Sequence, residues 1–341
     1  MKLDEILRRR IDRHHLGSTK AGDVVAAARR VGGLHAQVAS SALASATLRL
    51  GTEPDLEAAL YRQKSLVRTW AARGTLHLLP AADLPLWVAA MSTRTRETTG
   101  SWLKFHGVTA EQMRDIIAAL PDLLGATPLT REELAGAIIE ATGHEDLRGP
   151  LIQGFGAILK PLAFRGLLCS GPPRGRHVTF VAPRAWLGDW EPVPAEDAID
   201  QLVLHHLDAY GPADAAEFAR WFDLKPPLAK KSFARLADRL RPVGDEGFLP
   251  IDAPDAGGGD TVLLLPAFDP YVVGSLRRLE TVSSGPKSAV SRPQGWISPT
   301  LVVNGRIEGV WELADGHPVV TPFAPLSAAT RRALPEGSVI R

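Results

Sequence analysis

The segment Gly32-Gly33-Leu34-His35-Ala36-Gln37-Val38-Ala39-Ser40-Ser41 places two polar side chains around one alanine. In an extended stretch, residues two apart point to the same side. His35 and Gln37 would then converge just ahead of a helix N-terminus. The positive end of a helix disfavours protonation of a nearby imidazole. A neutral imidazole can take a proton from water, and a Gln amide can hold and orient that water. Such a pair is suited to hydrolysis by a positioned water. On spacing alone, a structural reading of a loop His and Gln stands beside the chemical one.

Two further clusters carry polar chemistry. Arg68, Trp70, Arg73 and His77 surround SLVRTWAARGTLHLLP, where an Arg on a turn could reach a phosphate. The plain alternative is a hairpin with a surface arginine. In PAFDPYVVGSLRRLE, Asp269-Pro270-Tyr271 reads as a turn, followed by Arg277 and Arg278. That stretch suits either a DNA-facing loop or a buried aromatic turn with solvated arginines. No P-loop, GxGxxG, HExxH or GxSxG motif occurs. The pairs His14-His15 and His205-His206 are adjacent, about 100° apart on a helix, so neither chelates as i, i+4 histidines do. Cys169 lies in an expected strand and reads as a packed thiol. No metal and no cofactor is expected.

The elements that must position these residues follow a threefold rhythm: helices, then two short strands around a turn. That is the order of a winged helix-turn-helix. In the first third, helices are expected over Leu3 to Arg13, Thr19 to Val31, Ser40 to Leu50 and Asp55 to Gln63, with Ser40 or Ser41 as a cap. A hairpin of Leu66 to Trp70 with Thr75 to Leu79 follows, then a helix from Ala81 to Met91. The second third repeats the order. Helices run from Thr109 to Leu124, from a capping box at Thr130 and Glu133, and from Gly149 to about Arg165. Strands Leu167 to Ser170 and His177 to Ala182 flank GPPRGR, which reads as a wing tip. The last third has helices over Asp197 to Tyr210, Ala213 to Phe222 and Pro227 to Leu240, then short strands around Asp245-Glu246-Gly247. After a glycine-rich loop from Asp255 to Asp260 the chain turns β-rich. Thr261 to Leu265 and Val319 to Phe323 are strands, and Thr300 to Val303 and Arg306 to Trp311 flank the hairpin signal Asn304-Gly305. This part should form a small sheet or partial barrel on the last winged helix.

The fold class is thus mainly α with α+β elements. Three tandem winged-helix units are expected at 1–107, 108–197 and 198–255, with a β-rich element at 256–341. Composition agrees with a globular chain: 341 residues, 45% hydrophobic and 23% charged. One cysteine among them excludes an internal disulfide and suggests a reducing, cytoplasmic setting. The charged N-terminus lacks a signal-peptide core, and no apolar run approaches a membrane span. A complete cytosolic protein is expected. Net charge is +1 but unevenly spread: residues 1–107 carry 16 Lys+Arg against 9 Asp+Glu. A basic first third suits a polyanion, though a solvated Arg-rich helix would look the same.

Five stretches in order resemble one family: GGLHAQVASSALASATLRL, LVRTWAARGTLHLL, YGPADAAEFARWFDL, LLPAFDPYVVGSLRR and ISPTLVVNGRIEGVW. They resemble the winged-helix DNA glycosylases of the AlkZ/YcaQ type. The resemblance implies three winged helices in a C shape around duplex DNA. It also implies excision of bulky N7-alkylated guanines, including adducts and crosslinks of DNA-alkylating natural products, in repair or self-resistance. The family's catalytic motif, commonly Gln-Φ-Gln or Gln-Φ-Asp, falls on His35-Ala36-Gln37, which looks like a His-Φ-Gln branch. The partner implied is duplex DNA carrying an alkylated guanine, met by a monomer without a membrane. DNA contacts are expected from Ser40, Ser41, Arg68, Trp70, Arg73, His77, Tyr271, Arg277 and Arg278. A non-enzymatic winged-helix regulator, or a protein that sequesters the alkylating compound, would carry much of the same sequence.

Overall fold

The computed structural model describes residues 1–341 except 154, 155, 255, 256 and 258. The chain divides into two compact units. One comprises Met1–Pro54, Leu202–Trp221 and Pro226–Arg341; the other comprises Asp55–Gln201 and Phe222–Lys225. Both mix helices with antiparallel strands, as the fold class anticipates.

In the first unit, helix α1 (Leu3–Arg13) buries Ile6, Leu7 and Ile11. Leu7 and Ile11 share a core with Leu265, Tyr271, Val302 and Ile307. The β-rich element therefore packs on the N-terminal helix, where the sequence placed it on the last winged helix. It is a five-stranded sheet running, edge to edge, Val339–Ile340, His317–Pro322, Arg306–Ala314, Thr300–Val303 and Val262–Leu265. Asn304 and Gly305 make its central hairpin with φ of 49° and 84°, the left-handed pair that a two-residue turn requires. Helix α2 (Val24–Arg30) starts later than the expected Thr19. Asp23 accepts the Ala26 N–H at 2.7 Å and so fixes the start. Helix α3 spans Ala39–Leu50 and ends at Gly51 with φ 79°. Helices Ala195–Tyr210 and Ala215–Phe222, whose residues up to Gln201 and from Phe222 count with the second unit, and helix Pro226–Arg235 follow the expected order. The last is shorter than expected because Leu240–Pro242 pairs with Phe248–Pro250 as strands. Residues 255, 256 and 258 of the expected glycine-rich loop lie outside the described residues.

In the second unit, strand Leu66–Trp70 pairs with Leu76–Pro80, setting Arg68 opposite Leu78 and Thr69 opposite His77. Both capping boxes form: Thr109 with Gln112, and Thr130 with Glu133. Strands Cys169–Arg174 and His177–Val181 form the expected second hairpin, which Leu129–Thr130 extends. The helix expected from Gly149 to Arg165 is instead two short ones, Arg148–Ile152 and Lys160–Phe164. Gly156 between them has φ 74°, which a continuous helix excludes. Residues 154 and 155 of that stretch lie outside the described residues. No helix among the described residues is long and apolar enough to cross a membrane.

Candidate active site

A two-residue strand, Leu34–His35, delivers the imidazole, and α3 begins only four residues later. The strand stops at His35 and the chain bends at residues 37 and 38. His35 is 6% exposed, whereas Gln37 is exposed. Strand alternation therefore does not bring the two side chains together. The bend into α3 sets their orientation.

The cap of α3 also differs from expectation. Val38 occupies the N-cap, and no side chain caps the helix. Ser40 and Ser41 lie inside the first turn, Ser40 exposed and Ser41 buried. Val38 offers the first-turn N–H groups no side-chain acceptor, and the positive end of the helix lies beside Gln37.

Behind His35 lies a framework that motif reading missed. The imidazole lies nearly parallel to the Phe268 ring, with centroids 4.8 Å apart and planes 5° apart. Phe268 in turn meets Trp296 edge-on at 5.0 Å. Asp269, fully buried, accepts both terminal nitrogens of the equally buried Arg49, at 2.8 and 2.9 Å. It also accepts the Ser45 hydroxyl at 2.6 Å and the Tyr271 N–H at 2.9 Å. Ser45 and Arg49 both belong to α3. One signal was available: Arg49 is the lone charge in ASSALASATLRL, an otherwise small and apolar helix. A buried charge needs a buried partner.

Several expected DNA contacts occupy structural positions. Tyr271 is 1% exposed, and its hydroxyl donates to the Gly305 carbonyl at 2.6 Å. Burial raises its pKa beyond the usual phenol range. Trp70, 5% exposed, belongs to the core of the second unit. Both are core residues rather than DNA-facing ones. Arg278 donates to Glu217 and Glu246, and Arg277 to Asp214 at 2.8 Å, so carboxylates already compensate both cations. His77 is buried, with Nδ1 2.9 Å from the Thr75 carbonyl oxygen. Arg68 is half-buried, and burial lowers its pKa. Arg73, at φ 56° on the hairpin turn, lines a cavity of about 280 Å3 together with Arg94, Arg96 and Lys160. Glu97 and Asp223 also line it; Glu97 pairs with Arg165 and Asp223 with Arg96.

The remaining candidates are quiet. Burial pushes the Cys169 thiol up to about 12, which makes it inert. His206 is buried among Tyr210, Phe218 and Trp221. At the end of the strand Cys169–Arg174, Arg174 pairs with Glu133, holding that carboxyl down to about 2.

Comparison with known proteins bears on this geometry. The family model of AlkZ-like DNA glycosylases matches residues 28–336. An interstrand DNA cross-link repair glycosylase of Streptomyces sahachiroi is 37% identical over 322 residues, covering 89% of this chain and 85% of its own. The solved structure of Streptomyces sahachiroi DNA glycosylase AlkZ superposes with a TM-score of 0.90 at 31% identity, covering 100% of this chain and 99% of its own.

Proposed function

The chain belongs to the AlkZ-like DNA glycosylases, and from that premise we propose that it excises N7-alkylated guanine from duplex DNA, bulky adducts and interstrand crosslinks included. It is a DNA glycosylase by family; the lesion, the residues and their roles are our reading. Alkylation at N7 gives the base a positive charge. When the bond from N9 to C1′ breaks, its electron pair stays on the base and neutralises that charge. Departure therefore needs little acid catalysis. The sugar develops oxocarbenium character, and a water must add at C1′ and lose a proton. A placed water and a polar group facing the growing charge supply what the reaction lacks. Gln37 holds the water, and neutral His35 accepts its proton or orients it, as a His-Φ-Gln variant of the family motif. The products are free base and an abasic site, with no covalent enzyme intermediate, cofactor or metal.

One observation carries this reading: Gln37 is exposed at an uncapped helix N-terminus, two residues from an imidazole held by an aromatic stack. We read the enzyme as a cytoplasmic monomer of three winged-helix units, 1–107, 108–197 and 198–255, with the β-rich element 256–341. Among the expected DNA contacts, Arg73 is the strongest, with Ser40 at the exposed helix end. The test is release of base from a duplex carrying one N7-alkylguanine. Wild type should yield free base and an alkali-labile site, and a His35→Ala/Gln37→Ala variant should not. Equal release by both would remove the assignment. Binding of plain duplex without release from small or bulky adducts would point to a non-enzymatic DNA binder. Binding of free alkylating compound without DNA would point to sequestration.

A further inference from the structure

The stretch Ala267-Phe268-Asp269-Pro270-Tyr271 has no role in the hydrolysis described above, yet it is built with unusual care. Phe268 has φ 59°, a left-handed conformation that bulky L residues adopt rarely and that surrounding contacts must enforce. The enforcing contacts are at the next residue. Asp269 is clamped by both terminal nitrogens of Arg49 and by the Ser45 hydroxyl, and it caps the following turn through the Tyr271 N–H. Arg49 and Ser45 lie on α3, whose N-terminus carries Gln37. A single helix thus references Gln37 at one end and, through Asp269, the Phe268 ring further along. That ring lies 4.8 Å from His35 with planes 5° apart. A face-to-face contact fixes the plane of an imidazole without consuming either ring nitrogen, which act in the plane.

We infer that Phe268 is a positioning residue for His35, locking the imidazole plane relative to Gln37 through the Arg49–Asp269 clamp. The role rests on the reading of His35 as the residue that handles the water. Any side chain could fill space beside His35, but an aromatic ring in a strained backbone, anchored to the helix of Gln37, sets an orientation.

The test is single-turnover excision from a duplex carrying one bulky N7-alkylguanine, with excess enzyme. The variants are Phe268→Leu, Phe268→Tyr, Phe268→Gly, His35→Ala and the double variant His35→Ala/Phe268→Leu. Phe268→Leu should slow excision by about 10- to 100-fold, the cost of a misplaced catalytic group. Phe268→Tyr keeps the ring and should stay near the wild-type rate. Phe268→Gly relieves the backbone strain but loses the ring's packing against the core, so its Tm should fall; assayed well below that Tm, where the variant is fully folded, its rate should still fall as in Phe268→Leu. That outcome separates orientation from folding. In the His35→Ala background, Phe268→Leu should add no further loss, since it acts through the missing imidazole. A wild-type rate in Phe268→Leu, or an equal added loss without His35, would overturn the positioning role. An inactive wild type, or an indifferent His35→Ala, would instead remove the underlying reading of His35 and the inference with it.

Discussion

His35 and Gln37 divide one task, holding a water and taking its proton, and each is placed by a different device. The imidazole sits in a two-residue strand against Phe268, and the amide sits at the bend into α3. Replacing either with Ala should lower the single-turnover rate by about 10²-fold or more, the usual worth of a positioned catalytic group, while the protein stays folded at the assay temperature. Unaltered rates in both variants would contradict the assignment. A second histidine controls stability rather than rate. His14 is fully buried, edge-on to Tyr210 at 4.7 Å and to Tyr271 at 5.4 Å. Burial first, and then Arg49 and Arg10, hold its pKa well below 6.5. The unfolded chain protonates this imidazole below about pH 6.5 while the folded one does not. The unfolded state then binds more protons, so stability is full above that pH and falls below it, by up to about 1.4 kcal/mol per pH unit. In His14→Leu the fall of Tm between about pH 6.5 and 5.5 should be shallower. An unchanged slope would show that other groups dominate acid sensitivity. The sequence singled out His35-Ala36-Gln37 by type and spacing. It could not show that His35 is buried and Gln37 exposed, because that depends on where the strand stops and α3 starts.

At the scale of elements, α3 and the turn at Asp269 form one frame. Arg49 and Asp269 are both fully buried and bidentate, so removing one partner strands the other charge in the interior. Asp269→Ala should cost about 3–5 kcal/mol in a denaturant titration. A cost below about 1 kcal/mol would mean the pair is not the frame described. In the second unit, Thr130 accepts the Glu133 N–H at 3.3 Å, and Thr130→Ala should cost about 1 kcal/mol. Local signals of this kind were legible in the chain. Thr130 with Glu133, Asn304 with Gly305, and the Leu66–Trp70 hairpin each announce an element through chemistry within a few residues. What could not be read was local chemistry overruled by another nearby signal or by tertiary demand. Ser40 and Ser41 looked like caps, but α3 starts at Ala39 with Val38 before it. Asp23 overrode a longer α2, and a left-handed Gly156 divided a helix that hydrophobic spacing had joined. The Arg49–Asp269 clamp joins residues 220 apart in sequence, and no window along the chain contains both.

Over the whole molecule, composition gave the amount of charge but not its direction. The basic first third was read as a surface for a polyanion, yet much of its charge points inward. Arg9 and Arg10, 1% and 5% exposed, donate to the carbonyls of Gly211 and Pro212 at 3.3 Å. Arg49 meets Asp269, and Arg94, 7% exposed, meets the carbonyls of Ala71 and Phe222. Burial lowers the pKa of Arg9 and of Arg94 to about 10, so both remain charged at neutral pH. Arg73 and Lys160 both line the second-unit cavity, and these are the cations at which we propose to test phosphate contact. Arg73→Gln and Lys160→Gln should each weaken duplex binding alike across sequences and reduce the salt dependence by about one charge. A change confined to one base preference would count against phosphate contact. The most direct measurement is excision from a duplex bearing a single bulky N7-alkylguanine. Wild type and the His35→Ala/Gln37→Ala variant should be compared under single-turnover conditions. Wild type should yield free base and an abasic site, and the variant should lose that release at unchanged duplex affinity. Release at the same rate by both proteins would contradict the assignment of His35 and Gln37.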